Sequence, residues 1–115
     1  MGVKKIVVSE VIGTPNAILH KFGLQLRDVV VREWKNGNTI ELDFSQLNNA
    51  TTGFFHASIG NLFKEMNGSF EKTITTLGLD KNDTWKDKFN DAIDLVKNPQ
   101  KAQELDSAIS DLFQD

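Results

Sequence analysis

A chain of 115 residues, of which 39% are hydrophobic and 25% charged, has the composition of one ordinary globular domain. Its net charge of −3 argues against a nucleic-acid binder, because such proteins neutralise phosphates with a basic surface. Cysteine is absent, which excludes disulfides and thiolate metal sites. The opening MGVKKIVVSEVIG has too short an apolar run for a secretory leader, and no stretch approaches the roughly 18 apolar residues of a membrane helix. We therefore expect a cytoplasmic protein without a membrane partner.

The first third of the chain predicts a strand followed by a long helix. The β-branched run KKIVVSEVI is typical of a strand. Thr14 and Pro15 then predict a helix start, since threonine caps free N–H groups and proline fits the first turn. Gly37 is placed to end this helix. Gly23, in its middle, costs about 1 kcal/mol relative to alanine and therefore predicts close packing against a neighbour. The helix's apolar stripe comprises Ile18, Leu19, Phe22, Leu26, Val29, Val30 and Trp34.

The next segment predicts a strand and a second helix. NTIELDFS alternates, with Ile40, Leu42 and Phe44 on one face, which is the pattern of a strand with one buried side. A polar loop follows, and a helix is predicted from about Gly53 to Met66. Its buried stripe comprises Phe55, Ile59, Leu62, Phe63 and Met66.

The last part of the chain predicts a further strand and two helices. FEKTITTLGL favours a strand through its threonines, anchored by Ile74, Leu77 and Leu79. A third helix, capped by Asp83 or Thr84, carries an apolar stripe of Trp85, Phe89, Ile93 and Val96. A fourth helix is predicted from Asn98 and Pro99, with a stripe of Ala102, Leu105, Ile109, Leu112 and Phe113 that would pack on the domain or dock on a partner.

The order of these elements predicts the fold class. Strands that alternate with helices imply right-handed crossovers and a parallel sheet. We therefore expect a small two-layer α/β domain with a mainly parallel, few-stranded sheet and about four helices. It would span residues 1–115 as one domain, with a helical C-terminal extension from about residue 83.

The sequence offers no evident catalytic constellation. It has no nucleophile elbow, phosphate-binding loop or dinucleotide turn, and His20 and His56 fit surface or boundary positions. Asp43 fits a loop-ordering carboxylate that could accept hydrogen bonds from the N–H groups near Thr51. We expect no enzyme, no cofactor and no metal site. Thr51 and Thr52, which lead into the second helix, allow two interpretations: a plain helix cap, or a switch whose phosphate the helix N-terminus would tolerate.

The stretch HKFGLQLRDVVVREWKNGNTIELDFSQLNNATTGFFHASIGNLFKEM resembles the STAS-like domain family of unknown function. The resemblance covers roughly residues 3–66. It is carried by a helix with Gly23, Leu26 and Arg27, a strand ending in Asp43 and Phe44, paired hydroxyl residues Thr51 and Thr52 before Phe54, and Gly60 with Leu62 in the second helix.

The resemblance implies a regulatory role related to that of anti-sigma-factor antagonists. In those proteins a partner kinase of the GHKL type phosphorylates a residue in an Asp-Ser-Ser-Gly-Leu pattern at the helix start, which breaks the complex. Here Ala50 replaces the aspartate, Thr51 occupies the acceptor position and Thr52 is the second candidate. The implied partner is an ATP-binding kinase or an anti-sigma-like regulator, bound by a monomer or homodimer. The implied contact residues are Asp43, Asn48, Asn49, Thr51, Thr52, Gly53 and Phe54.

A second hypothesis needs no phosphorylation. The chain would then be a stand-alone inhibitor or scaffold protein that uses the same fold. Loss of the aspartate before Thr51 and the additional C-terminal helices favour this alternative.

Overall fold

A computed structural model of the chain describes residues 2–98. In chain order the elements are β1 (Val3–Val7), α1 (Val8–Ile12), β2 (Asn16–Ala17), α2 (His20–Lys35), β3 (Thr39–Asp43), β4 (Asn49–Ala50), α3 (Thr52–Phe55), a π-helical turn (His56–Gly60), α4 (Asn61–Met66), α5 (Phe70–Thr73), β5 (Ile74–Leu77), a 3₁₀ turn (Leu79–Lys81) and α6 (Asp83–Lys97). The run from α3 to α4 is continuous, so five separate helices are present in this part of the chain.

The main sheet has three parallel strands in the order β1-β3-β5. Ile6, Leu42 and Ile40 face the helices and are buried, whereas the opposite face carries Val3 and Leu77, which are exposed. Helices therefore cover one side of the sheet, and the predicted two-layer α/β class with a mainly parallel sheet is confirmed.

The first strand is shorter than its composition predicts. β1 ends at Val7, and the rest of the β-branched run winds into α1, which stops at Gly13 with a φ of 76°. The prediction of a strand through Ile12 is wrong because the buried residues recur at the spacing of a helix and not at the two-residue spacing of a strand. Val8 and Ile12 are both buried four positions apart, which places them on the same face of a helix.

Thr14 and Pro15 do not start a helix, contrary to prediction. Thr14 Oγ1 accepts a hydrogen bond from the N–H of Asn16 at 3.2 Å, and the chain then forms the short strand β2. β2 pairs with β4, more than thirty residues further along. This pairing keeps the backbone extended, so α2 begins only at His20.

Two predictions about α2 are confirmed. Gly37 follows its end with a φ of 90°, as a left-handed stop requires. Gly23 packs directly on the π turn, where no side chain would fit between the two helices.

The second predicted helix forms from Thr52 to Met66 with a π turn inside it. Such a turn leaves carbonyl groups without their usual α-helical partners. Here Ser58 Oγ donates to the carbonyl of Phe54 at 2.8 Å, and Asn61 Nδ2 donates to that of Ala57 at 2.7 Å. The predicted buried stripe faces the core, although Phe63 is only half-buried.

The region after Met66 differs in detail from its prediction. Residues 70–73 form the single helical turn α5, and only residues 74–77 form the strand β5. Asn82 caps α6, since its Oδ1 accepts from the N–H of Trp85 at 3.1 Å, so the predicted caps Asp83 and Thr84 are wrong. The predicted fourth helix lies outside the described residues, and the extent of the domain stays a prediction.

Among residues 2–98, no helix is long and apolar enough to cross a membrane.

Candidate functional site

Thr51 is the N-cap of the helical run that follows β4. Its backbone is extended, with a φ of −95° and a ψ of 161°, and its Oγ1 accepts a hydrogen bond from the N–H of Phe54 at 3.2 Å. Thr51 is half-buried by this role, whereas Thr52 and Gly53 are exposed. The hydroxyl that faces solvent most openly at this helix start is therefore that of Thr52.

Backbone hydrogen bonds to residues 15–17 fix the position of this helix start. The N–H of Thr51 donates to the carbonyl of Ala17 at 3.1 Å, and that of Asn48 donates to the carbonyl of Pro15 at 2.7 Å. The side chain of Asn49 donates to Asn16 Oδ1 at 2.6 Å. The loop before α3 is thus held at both its backbone and its side chains by a segment far away in sequence.

Lys88 of α6 secures the same loop from a second direction. Its Nζ donates a hydrogen bond to the carbonyl of Ala50 at 3.0 Å. The Ala50 side chain is buried. A cationic group therefore lies one residue from Thr51.

Two aliphatic side chains are exposed next to this helix start. Ile18 and Leu19 are 53% and 45% exposed, and they directly follow Ala17, whose carbonyl binds Thr51. The prediction that both belong to the apolar stripe of α2 is wrong because α2 begins after them. We name the exposed residues Ile18, Leu19, Asn49, Thr52 and Gly53 the cap surface.

Asp43 is buried at the end of β3 and serves to order the chain. Its Oδ1 accepts from the N–H of Ser45 at 2.8 Å and also from the Ser45 hydroxyl, and Lys5 Nζ lies 3.7 Å from its Oδ2. The Ser45 hydroxyl is the main cause that lowers the pKa of Asp43, with its N–H and Lys5 adding to the effect against the cost of burial. The alternative prediction, that Asp43 binds the N–H groups near Thr51, is not what these contacts show.

Phe54 lies in the core and does not belong to the cap surface. Its side chain is 0% exposed and meets Phe55 edge to face, with ring centroids 5.5 Å apart. Phe55 in turn stacks on Phe44 of the strand end at 5.8 Å. The rings of Phe54 and Phe55 thus anchor the helix start to the sheet, and neither is open to solvent.

A pocket that the sequence does not predict lies at the β3 end of the loop that leads to Thr51. Its cavity volume is 360 Å³, and it is lined by Ser45, Leu47, Asn48, Gly78, Asn82 and Trp85. It opens where β3 and β5 end, which is where open α/β sheets bind ligands. The sequence predicts Trp85 only as a member of an apolar helix stripe, and only tertiary contact brings it into one pocket with Asn48. We name it the Trp85 pocket.

The two histidines lie apart from this site. His20 is exposed at the start of α2. His56 is half-buried in the π turn, and its Nε2 is enclosed without a hydrogen-bond partner. Burial lowers the pKa of His56, and the charge of Asp91 opposes that shift. Within residues 2–98, no three histidine and carboxylate side chains group into a metal site.

The sequence model of the STAS-like domain of unknown function (DUF4325) matches residues 23–84, more than half of the chain. The chain belongs to the STAS-like domain family. The matched range of this STAS-like domain contains the whole loop from Asp43 to Gly53 and ends at the start of α6. The comparisons found no match among curated proteins and none among solved structures.

Proposed function

We propose that this STAS-like domain is a non-enzymatic, cytoplasmic regulatory module that binds a protein partner through its cap surface. The observation that carries the proposal is the exposure of Ile18 and Leu19 beside the capped helix start. Exposed aliphatic side chains with a polar rim are the usual composition of an interaction site. Asn49 and Thr52 provide that rim here.

The way in which the polar groups are used supports binding over catalysis. Thr51 Oγ1 is engaged as a helix cap, and Asp43 is engaged by Ser45 and Lys5. These contacts hold the loop rigidly, which lowers the entropy cost of docking a partner. The contacts of Thr51 and Asp43 therefore leave the cap surface preformed. By family resemblance, the protein that binds it is an ATP-binding kinase or an anti-sigma-like regulator.

Phosphorylation at the helix start is the switch in this proposal. Thr51 occupies the acceptor position by resemblance, and Thr52 is the more exposed hydroxyl. A phosphate on either would add nearly two negative charges at the N-terminus of the helical run. Lys88, which lies against Ala50, would stabilise that charge, and the partner surface facing Ile18 and Leu19 would be repelled or reoriented.

A specific observation also favours the second candidate, a stand-alone inhibitor or scaffold without phosphorylation. Ala50 is buried where the phosphorylated pattern has an aspartate, and the Thr51 hydroxyl already fills a structural role. In this alternative the cap surface binds constitutively.

Affinity capture from the native host tests the proposal. The wild-type chain would be compared with the double variant Ile18→Ser/Leu19→Ser and with Val3→Ser, a matched control on the open sheet face where Val3 is 75% exposed. We expect one ATP-binding partner that the wild type and Val3→Ser retain and the double variant loses. Equal capture by all three would contradict the cap surface as the binding site.

The switch is tested in the same experiment by Thr51→Glu and Thr52→Glu, together with mapping of phosphate on the captured chain. Loss of the partner from one of these variants, with phosphate on the same threonine, supports the switch. Retention of a partner that is not a kinase, with both threonines unmodified, supports the scaffold alternative.

A further inference from the structure

The Trp85 pocket has a rigid floor formed by two backbone segments in contact. Gly78 has a φ of 91°, and a Cβ placed on it would lie 2.7 Å from the backbone nitrogen of Ser45. The N–H of Phe44 donates to the carbonyl of Leu77 at 2.9 Å directly below this contact. The pocket is therefore preformed, as ligand pockets usually are.

Two of the polar side chains that line the pocket, Ser45 and Asn48, carry an oxygen that can accept a hydrogen bond. The Ser45 hydroxyl donates its proton to Asp43, so its oxygen can only accept from an occupant. Asn48 is exposed and lines the pocket, whereas Asn82, which also lines it, has its side-chain oxygen engaged by the N–H of Trp85. Trp85 supplies an aromatic wall.

The carboxylate of Asp43 touches the pocket lining at Ser45, and the cation of Lys88 lies at Ala50, two residues from Asn48. Lys5 offsets the negative charge of Asp43 only in part, because the Lys5 side chain is exposed and its Nζ lies 3.7 Å from Asp43 Oδ2. Asp80 and Asp83 are exposed on the turn that leads into α6, and residues 80–83 contain one lysine against these two carboxylates. Asp83 also stands in the first turn of α6, where it compensates the positive end of that helix. None of the six lining residues is a lysine or an arginine.

We propose that the Trp85 pocket receives the guanidinium group of an arginine side chain from the protein partner, an assignment that rests on the proposed function. A guanidinium is planar, stacks on an indole and donates several hydrogen bonds in its plane, so it matches an aromatic wall with acceptors at its edge. A phosphate or carboxylate group would instead find no free proton on the Ser45 hydroxyl, which donates to Asp43, and would lie near the Asp43 carboxylate. The volume of 360 Å³ accommodates one such side chain. The partner therefore makes a second contact, at the other end of the loop that carries the cap surface.

Titration with small probes tests this assignment without the partner. N-acetyl-arginine amide would be compared with N-acetyl-citrulline amide, which has nearly the same shape without the charge, and with N-acetyl-lysine amide. In a Trp34→Phe variant Trp85 is the remaining tryptophan, because the chain has two. We expect a saturable change of Trp85 fluorescence for arginine, with at least about fivefold weaker binding of citrulline and lysine.

Two matched variants identify the site. Asn48→Ala is expected to weaken arginine binding about three- to tenfold, since it removes one hydrogen bond, whereas Asn90→Ala, on the exposed face of α6, leaves the affinity unchanged. No saturable response to arginine, or equal affinity for citrulline, would overturn the assignment. If capture by the cap surface succeeds and this titration fails, only the arginine assignment falls. If arginine binds and the capture fails, the cap surface is wrong and the pocket stands as a site.

Discussion

Gly23 of α2 and Ala57 of the π turn touch so closely that the fold excludes a side chain between them. A Cβ on Gly23 would lie 2.6 Å from the Cβ of Ala57 and 2.7 Å from the carbonyl oxygen of Phe54. That carbonyl already accepts the hydroxyl of Ser58. The helix that follows the Thr51 cap is thus held against α2 at backbone distance.

Gly23→Ala is expected to destabilise the protein by about 1–3 kcal/mol, because overpacking outweighs the better helix propensity of alanine. Urea denaturation measures the change. Gly60→Ala is the matched control: its nearest neighbour would be the carbonyl of Ala92 at 3.7 Å, so we expect equal or higher stability. A Gly23→Ala protein as stable as wild type would show that the two helices can move apart at no cost.

Thr51→Ala is expected to lower stability by about 1 kcal/mol through loss of the N-cap hydrogen bond to Phe54. Thr51→Ser should retain that bond and most of the stability. The exposed Thr52→Ala should change it by less than about 0.5 kcal/mol. Thermal or chemical unfolding of the three variants checks the order, and equal effects at both threonines would contradict the cap assignment.

Ser45→Ala is expected to raise the pKa of Asp43, because the Ser45 hydroxyl is the main cause of its lowered value. A carboxyl whose pKa in the folded state is lower than its ordinary value of 3.8 stabilises the fold at any pH above 3.8. This stabilisation is lost as the pH falls from 3.8 through the lower pKa of the folded state. The variant should therefore show a weaker loss of stability in acid. NMR titration of the Asp43 carboxyl carbon measures the shift directly, and an unchanged pKa would refute the role of the hydroxyl.

Because of His56, the free energy of unfolding is expected to fall as the pH drops below 6.5, the ordinary pKa of a histidine. Burial lowers the folded-state pKa, so the unfolded chain takes up the proton first, and stability declines until the lower folded-state pKa is reached. Unfolding measured between pH 7 and 5 should show this slope in wild type and less of it in His56→Gln.

A further variant acts as a control for the His56 slope. Asp91→Asn should make it steeper, because the Asp91 charge opposes the lowering of the His56 pKa. A slope that survives His56→Gln would assign the pH dependence to another group.

The sequence by itself determined the features that depend on neighbouring residues. The alternation around Ile40 and Leu42 predicted β3, the spacing of apolar residues predicted most of α2 and the helix to Met66, and Gly37 predicted the end of α2. The Thr51 cap was one of two interpretations that the local pattern allowed. Local periodicity sufficed for β3 and α2 because these elements bury mainly one face.

Only the tertiary structure decided how the candidate site is built. Pairing of β2 with β4 held residues 16–17 extended and left Ile18 and Leu19 exposed, against the helical pattern of that segment. Trp85 joined Asn48 in a pocket only because α6 begins beside the ends of β3 and β5. The pairing of β2 with β4 and the pocket shared by Asn48 and Trp85 each join segments more than thirty residues apart. The energy of these contacts outweighs local propensity, which carries no information about a distant partner.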